Sequence, residues 1–129
     1  AGELLTAVNL PARGANAGDA YLRFIPRTEM DIAVVGAAVS LRLDGDKIVE
    51  ARVSLGAVAP TVLLVDDAAS AIIGTTLDED ALANLATAAS AACNPITDKR
   101  GTVKFRTHVA GVLAQRAAKI AYERARAQK

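Results

Sequence analysis

The side chains equipped for chemistry are few. The chain holds a single histidine, His108, and a single cysteine, Cys93. A nucleophile needs a base within hydrogen-bonding reach, and the base needs a partner to orient it. His108 falls beside the apolar stripe of a helical segment, three residues after Phe105, the place of a boundary side chain rather than a catalytic base. Cys93 closes an alanine-rich segment, where a small half-buried hydrophobe is the expected role, and no second histidine completes a Cys-His pair. Neither a nucleophile-base pair nor a metal cluster can be assembled from this set. Asp78-Glu79-Asp80 has the position of a helix N-terminus, favoured there by the dipole, and lacks His or Cys companions for a metal. The loop Arg13 to Asp19, RGANAGD, could offer backbone amides to a phosphate, but the strand-loop-helix setting and the Lys-Ser or Lys-Thr of a P-loop are missing. Lys99, Arg100, Lys104 and Arg106 form a basic cluster beside Asp98. A solvated helix start, a phosphate site and a contact for an acidic protein face all fit it. Asp31 stands at the head of a run of uncharged residues, so its carboxylate marks an edge where something polar meets a sheet, be it structural or a ligand.

The element that must position Asp31 is the stretch from Asp31 to Val58. Two strand-like runs flank Asp44-Gly45-Asp46 and predict a long β-hairpin. Side-chain parity predicts Leu41 opposite Val49, Val39 opposite Ala51, Ala37 opposite Val53 and Val35 opposite Leu55, one continuous apolar face that needs a cover. Before it, Glu3 to Leu10 alternates as a strand ended by Pro11, and Ala20 to Arg27 runs extended to Pro26. After it come three helices. Asp66-Asp67 can cap a short one through Ile73, stopped by Gly74. Thr76 and Glu79 have capping-box spacing for a second that runs towards Asn94-Pro95. From about Thr102 a third carries Phe105, Val109, Val112, Leu113, Ala117 and Ile120 as its apolar stripe, with Arg124 and Arg126 at its end.

Composition narrows the class further. The chain of 129 residues fits one domain, and with 52% hydrophobic but only 3% aromatic residues its core must be built from Ala, Val, Leu and Ile. Fifteen Lys and Arg against 14 Asp and Glu give a net charge of +1, which supplies no field for nucleic acid or anionic lipid. The apolar run Ile32 to Val39 falls short of the roughly 20 residues of a membrane helix, and no signal segment opens the chain. A lone cysteine suits a reducing compartment, and the expectation is a cytoplasmic protein.

Four strings in order resemble one family: Ala20-Tyr-Leu-Arg-Phe-Ile-Pro-Arg27, Met30-Asp-Ile-Ala33, Ser54-Leu-Gly-Ala-Val-Ala-Pro-Thr61 and Asp98-Lys-Arg-Gly-Thr-Val-Lys-Phe-Arg106. Together they are similar to the C-terminal domain of the FAD-binding medium subunit of molybdenum hydroxylases, which include carbon monoxide dehydrogenase, xanthine dehydrogenase and 4-hydroxybenzoyl-CoA reductase. The resemblance implies an α+β fold, an antiparallel sheet of three to four strands covered by three helices. It implies that residues 1–129 are a single domain whose companion N-terminal FAD-binding domain, with its glycine-rich phosphate loops, is absent. It implies FAD shared with that domain, molybdenum cofactor and iron-sulfur clusters only in partner subunits, and electrons passed from those clusters to an acceptor. Ile32 inherits the position that packs on the isoalloxazine ring, Asp31 neighbours it, and Arg23 lies where relatives often carry lysine near this edge. Gly56-Ala57 replaces a common Gly-Gly, and Phe105 replaces a common tyrosine. The isolated domain is then expected to be inactive. The alternative role is subunit assembly without cofactor contact, through the basic start of the third helix.

Overall fold

The computed structural model describes residues 2–28 and 30–128. Strands β1 (Ala17–Phe24), β2 (Val35–Asp44), β3 (Lys47–Gly56) and β4 (Leu63–Leu64) pair antiparallel in chain order. Helices α1 (Asp66–Ser70), α2 (Glu79–Ala91) and α3 (Val103–Arg126) follow. The expected α+β architecture is the observed one.

The hairpin keeps the predicted parity but not the predicted partners. Ala37 faces Leu55, Val39 faces Val53 and Leu41 faces Ala51. The cause lies at the turn, which is tighter than expected: Asp44 pairs with Lys47, and Gly45 adopts φ +60, a conformation glycine reaches without strain. A bulge then follows, with Leu43 opposite Ile48 and Arg42 opposite Glu50, so Val49 has no partner and stands 37% exposed. Two residues of displacement leave the side chains beyond the bulge on their intended faces, whereas at the bulge Ile48 takes the buried place expected of Val49.

Alternation alone did not make a strand of Glu3 to Leu10. Residues 2–14 belong to no helix or strand, and the outer edge of β1, which pairs only with β2, is left without a ladder partner.

The lid also differs from the expected stripe. On α3 the buried residues are Arg106, Ala110, Gly111, Leu113, Ala114, Ala117, Ala118, Ala121 and Ala125. Phe105 is 42% exposed, and Val109, Val112 and Ile120 are half-buried flanks. Close approach explains the choice. A Cβ on Gly18 of β1 would lie 2.1 Å from the Ala121 carbonyl oxygen, so helix and sheet backbones nearly touch and only small side chains fit between them. Gly111 likewise meets α2, where a Cβ would be 2.7 Å from Ser90 Oγ.

Helix starts were partly misassigned. Asp78, of the acidic group expected at a helix N-terminus, caps α2 in place of Thr76, accepting from the Ala81 amide at 2.9 Å. Helix α1 stops at Ser70 rather than Ile73, and Asp66 and Asp67 lie in its first turn after Val65, which makes no side-chain cap. Thr102 caps α3, accepting from the Phe105 amide at 3.2 Å. Among the described residues no helix is long and apolar enough to cross a membrane.

Candidate functional site

Residues 25–34 carry the chain from β1 to β2 and hold Asp31 and Ile32. The Asp31 side chain is only 8% exposed and is fixed from three directions. Its Oδ2 accepts from Arg27 Nε at 3.1 Å, and its Oδ1 accepts from Arg100 Nε at 3.1 Å and from the Ile32 amide at 2.7 Å. The Arg100 hydrogen bond, followed by those of the Ile32 amide and Arg27, holds the Asp31 carboxyl below its ordinary value against the opposing effect of desolvation.

The ion pairing continues inward. Arg100 Nη1 lies 3.7 Å from Asp98 Oδ2, and Arg106 Nη2 donates to Asp98 Oδ1 at 2.6 Å. That contact is the main reason the Asp98 carboxyl is also lowered. Arg106 is 4% exposed, and its Nη1 donates to the Val34 carbonyl at 2.9 Å and reaches the Ala57 carbonyl at 3.5 Å. The series Arg27, Asp31, Arg100, Asp98, Arg106 therefore alternates in sign from the surface to the core. It joins the head of β2, the end of β3 and the first turn of α3.

This corrects the reading of the basic cluster as a solvated helix start. Arg100 and Arg106 are internal counter-ions, and of the four cations Lys99 and Lys104 make no ion pair among the described residues. An assembly role through that cluster loses half its charge. The sequence signal for Arg106 was its place on the face shared with Ala110, Leu113, Ala117 and Ala121, a helical spacing that points into the fold.

In front of the ion pairs lies an open groove of about 520 Å³. Ile32, Ala57, Pro60, Pro95 and Ile96 give it an apolar lining, and Asp98 and Arg106 close its floor. Ile32 is 65% and Ile96 72% exposed. Ala57 has φ +62 and Met30 φ +51, left-handed conformations that cost non-glycine residues energy and that persist here beside the groove. Sequence reasoning identified the Ile32 side of this groove and missed the Ala57, Pro60 and Ile96 side, which only folding brings near it.

Arg23 is exposed on β1, opposite Gly36, and is not among the groove's lining residues. His108 is exposed, and Cys93 is half-buried with its thiol donating to the Ala89 carbonyl at 3.2 Å; burial raises its pKa. Among the described residues no group of His, Cys, Asp or Glu could hold a metal. With both carboxylates held as ion-pair acceptors, the groove has no base poised near neutrality. It offers an open apolar wall without enclosure.

Comparison with known proteins finds relatives over most of the chain. The profile of the CO dehydrogenase flavoprotein C-terminal domain matches residues 20–121. The carbon monoxide dehydrogenase medium chain of Afipia carboxidovorans is 39% identical over 125 residues, 97% of this chain and 43% of that protein. That of Hydrogenophaga pseudoflava is 33% identical over 122 residues, 95% of this chain and 42% of that protein. Reconstituted CO dehydrogenase from Oligotropha carboxidovorans superposes with a TM-score of 0.84 at 36% identity, covering 89% of this chain and 40% of that one. The chain thus spans less than half the length of the relatives it matches.

Proposed function

Since the chain belongs to the CO dehydrogenase flavoprotein C-terminal domain family, we propose that it forms one wall of an FAD site in the medium subunit of a molybdenum hydroxylase. An N-terminal FAD-binding domain holds the rest of the flavin, and iron-sulfur and molybdenum subunits complete a cytoplasmic hetero-oligomer. The observation that carries this reading is Ile32. It is a branched apolar side chain kept 65% exposed at the rim of an apolar groove, on a turn that a network of ion pairs fastens from behind. FAD, when bound, supplies the redox chemistry by accepting electrons and releasing them to an acceptor. The residues of this chain do not react. Ile32 packs against the ring system, Asp31 holds the turn, and Asp98 and Arg106 position the strands behind it. Arg23 has no ion pair among the described residues and is available to an anionic group of the cofactor.

Titrating the isolated chain with FAD tests the division of labour. The expected result is no binding in the low micromolar range, because a single wall buries too little of the ligand. Tight binding would mean that the chain holds flavin by itself. In the assembled subunit, Ile32→Asp should weaken FAD retention about tenfold or more, since it places a charge against an apolar surface, and should alter the flavin absorbance. Unchanged retention and spectrum would overturn the assignment.

A further inference from the structure

The sheet has one long open side. From Ala17 opposite Arg42 to Phe24 opposite Val35, β1 pairs with β2 without a bulge, and among the described residues no strand pairs on its other side. The Asn16 and Phe24 carbonyls accept from Leu43 and Val34, on the β2 side. Backbone groups alternate along an antiparallel strand. Those of Gly18, Ala20 and Leu22 therefore also face β2, and those of Ala17, Asp19, Tyr21 and Arg23 face outwards. Arg124 agrees with that direction, since its Nη1 reaches the Asp19 carbonyl at 2.7 Å. Proteins blunt such edges with proline or a bulge, and β1 has neither.

An apolar flank runs beside this edge. Phe105, Val109, Ile120 and Arg124 share one side of α3 by helical spacing. It is the side next to β1, because Phe105 meets Phe24 edge to face at 5.9 Å and Arg124 bonds to Asp19. Phe24 and Phe105 are 39% and 42% exposed, and Val109 and Ile120 are half-buried. An open ladder and an uncovered apolar flank thus lie side by side.

Charge says which strand fits. An antiparallel copy of β1 centred on Tyr21 sets Asp19 opposite the copy's Arg23 and Arg23 opposite the copy's Asp19, each an outward-facing residue on another, as reciprocal bonding requires. Ala20 then meets Leu22, and Gly18 meets Phe24. The neighbouring registers lose both ion pairs, and those beyond them set Arg23 against Arg23 or Asp19 against Asp19.

We infer that β1 is a dimerisation edge, on which a second copy of this chain extends the sheet across a two-fold axis at Tyr21. Because α3 lies over β1 and β2 together, a strand spacing of about 4.8 Å brings the two α3 helices about 10 Å apart, within packing distance, flank to flank. Arg124 must swing off the Asp19 carbonyl and the patch is small, so the dissociation constant is on the order of 10–100 µM. Arg23, left open above for an anionic group of the cofactor, is taken by the copy in the dimer. The two uses exclude each other, while the flavin wall, which rests on Ile32, is untouched.

Sedimentation equilibrium of the 129-residue chain reads the dimer, and hydrogen exchange followed by NMR reads its location. The amides of Asp19, Tyr21 and Arg23 should gain protection as concentration rises, whereas those of Ala20 and Leu22 should be protected throughout. Arg23→Asp and Asp19→Arg should each weaken the dimer about tenfold or more. The double variant exchanges the charges and should return to within about threefold of the parent. A chain still monomeric at about 1 mM would overturn the inference. A dimer whose outward β1 amides stay unprotected would overturn it in favour of another surface. So would a double variant as weak as the single ones.

Discussion

Arg106 donates from Nη1 to the carbonyl oxygen of Val34 at 2.9 Å, across 72 positions of sequence. Val34 is fully buried and leads directly into β2. The bond therefore ties the first turn of the lid helix to the strand that follows the Asp31–Ile32 turn.

Replacing Arg106 should test how much that tie holds. Arg106→Met removes the Arg106 hydrogen bond to the Val34 carbonyl and leaves the Asp98 carboxylate with Arg100 alone, an expected loss of about 2–4 kcal/mol. Arg106→Lys should recover less than half of it, because an ammonium cannot span both acceptors as the planar fork does. Urea unfolding of the three proteins measures this. A loss for Arg106→Met below about 1 kcal/mol would show that the network is incidental to the fold.

The contact of β1 with α3 predicts a second sensitivity. Gly18→Ala puts a methyl group 2.1 Å from the Ala121 carbonyl oxygen and 2.6 Å from the Ala125 amide nitrogen, both backbone atoms that cannot rotate away. The expected cost is at least about 3 kcal/mol, at the upper end of overpacking, read as a fall of roughly 10 °C or more in melting temperature. A melting temperature within a few degrees of the parent would mean that helix and sheet can part without cost.

Asp31 and Asp98 set an acid limit. Both have folded pKa values below the ordinary 3.8 because arginines donate to them. A depressed carboxylate adds stability that is fully present above its unfolded value and is lost as pH falls through the folded one. Between pH 5 and 8 these groups should contribute no slope, and their loss should set in as pH drops below 3.8. The carboxyl titration followed by NMR gives the values directly, and Asp98→Asn should flatten the acid limb of the stability curve. A slope centred near neutrality that vanishes in Asp98→Asn would contradict the assignment.

Ala57 offers a substitution that should help. Its φ of +62 suits glycine. Relief of about 1–2 kcal/mol of left-handed strain outweighs the roughly 0.5–1 kcal/mol that glycine costs in chain entropy. Ala57→Gly should thus stabilise the fold by about 0.5 kcal/mol, measured by thermal unfolding against the parent. A loss of stability would mean that the methyl group packs usefully in the groove.

Period and parity made the hairpin, the three helices and the buried face of the sheet legible from sequence, because alternation and helical spacing are properties of the chain alone. The register was not, since the bulge at Arg42 and Leu43 depends on how tightly Gly45 turns. The stripe of α3 was misjudged because large apolar residues draw the eye. Ala121 and Ala125 are buried for their smallness, which matters only opposite Gly18. Asp31 and Ile32 could be singled out by resemblance, whereas the counter-ion role of Arg106 needed Asp98 and Val34 to arrive beside it in space.

The helix α3 is 24 residues long, roughly 36 Å at 1.5 Å per residue. At its other end Tyr122 donates to the Asp46 carbonyl at 2.7 Å, and Arg126 lies 3.5 Å from the Asp46 carboxylate. The hairpin is thus strung on the helix like a bow on its stave, nocked at the tip and at the grip. The loop at Asp46 and the strand that leaves the Ile32 turn are both fastened to one helix, at its opposite ends.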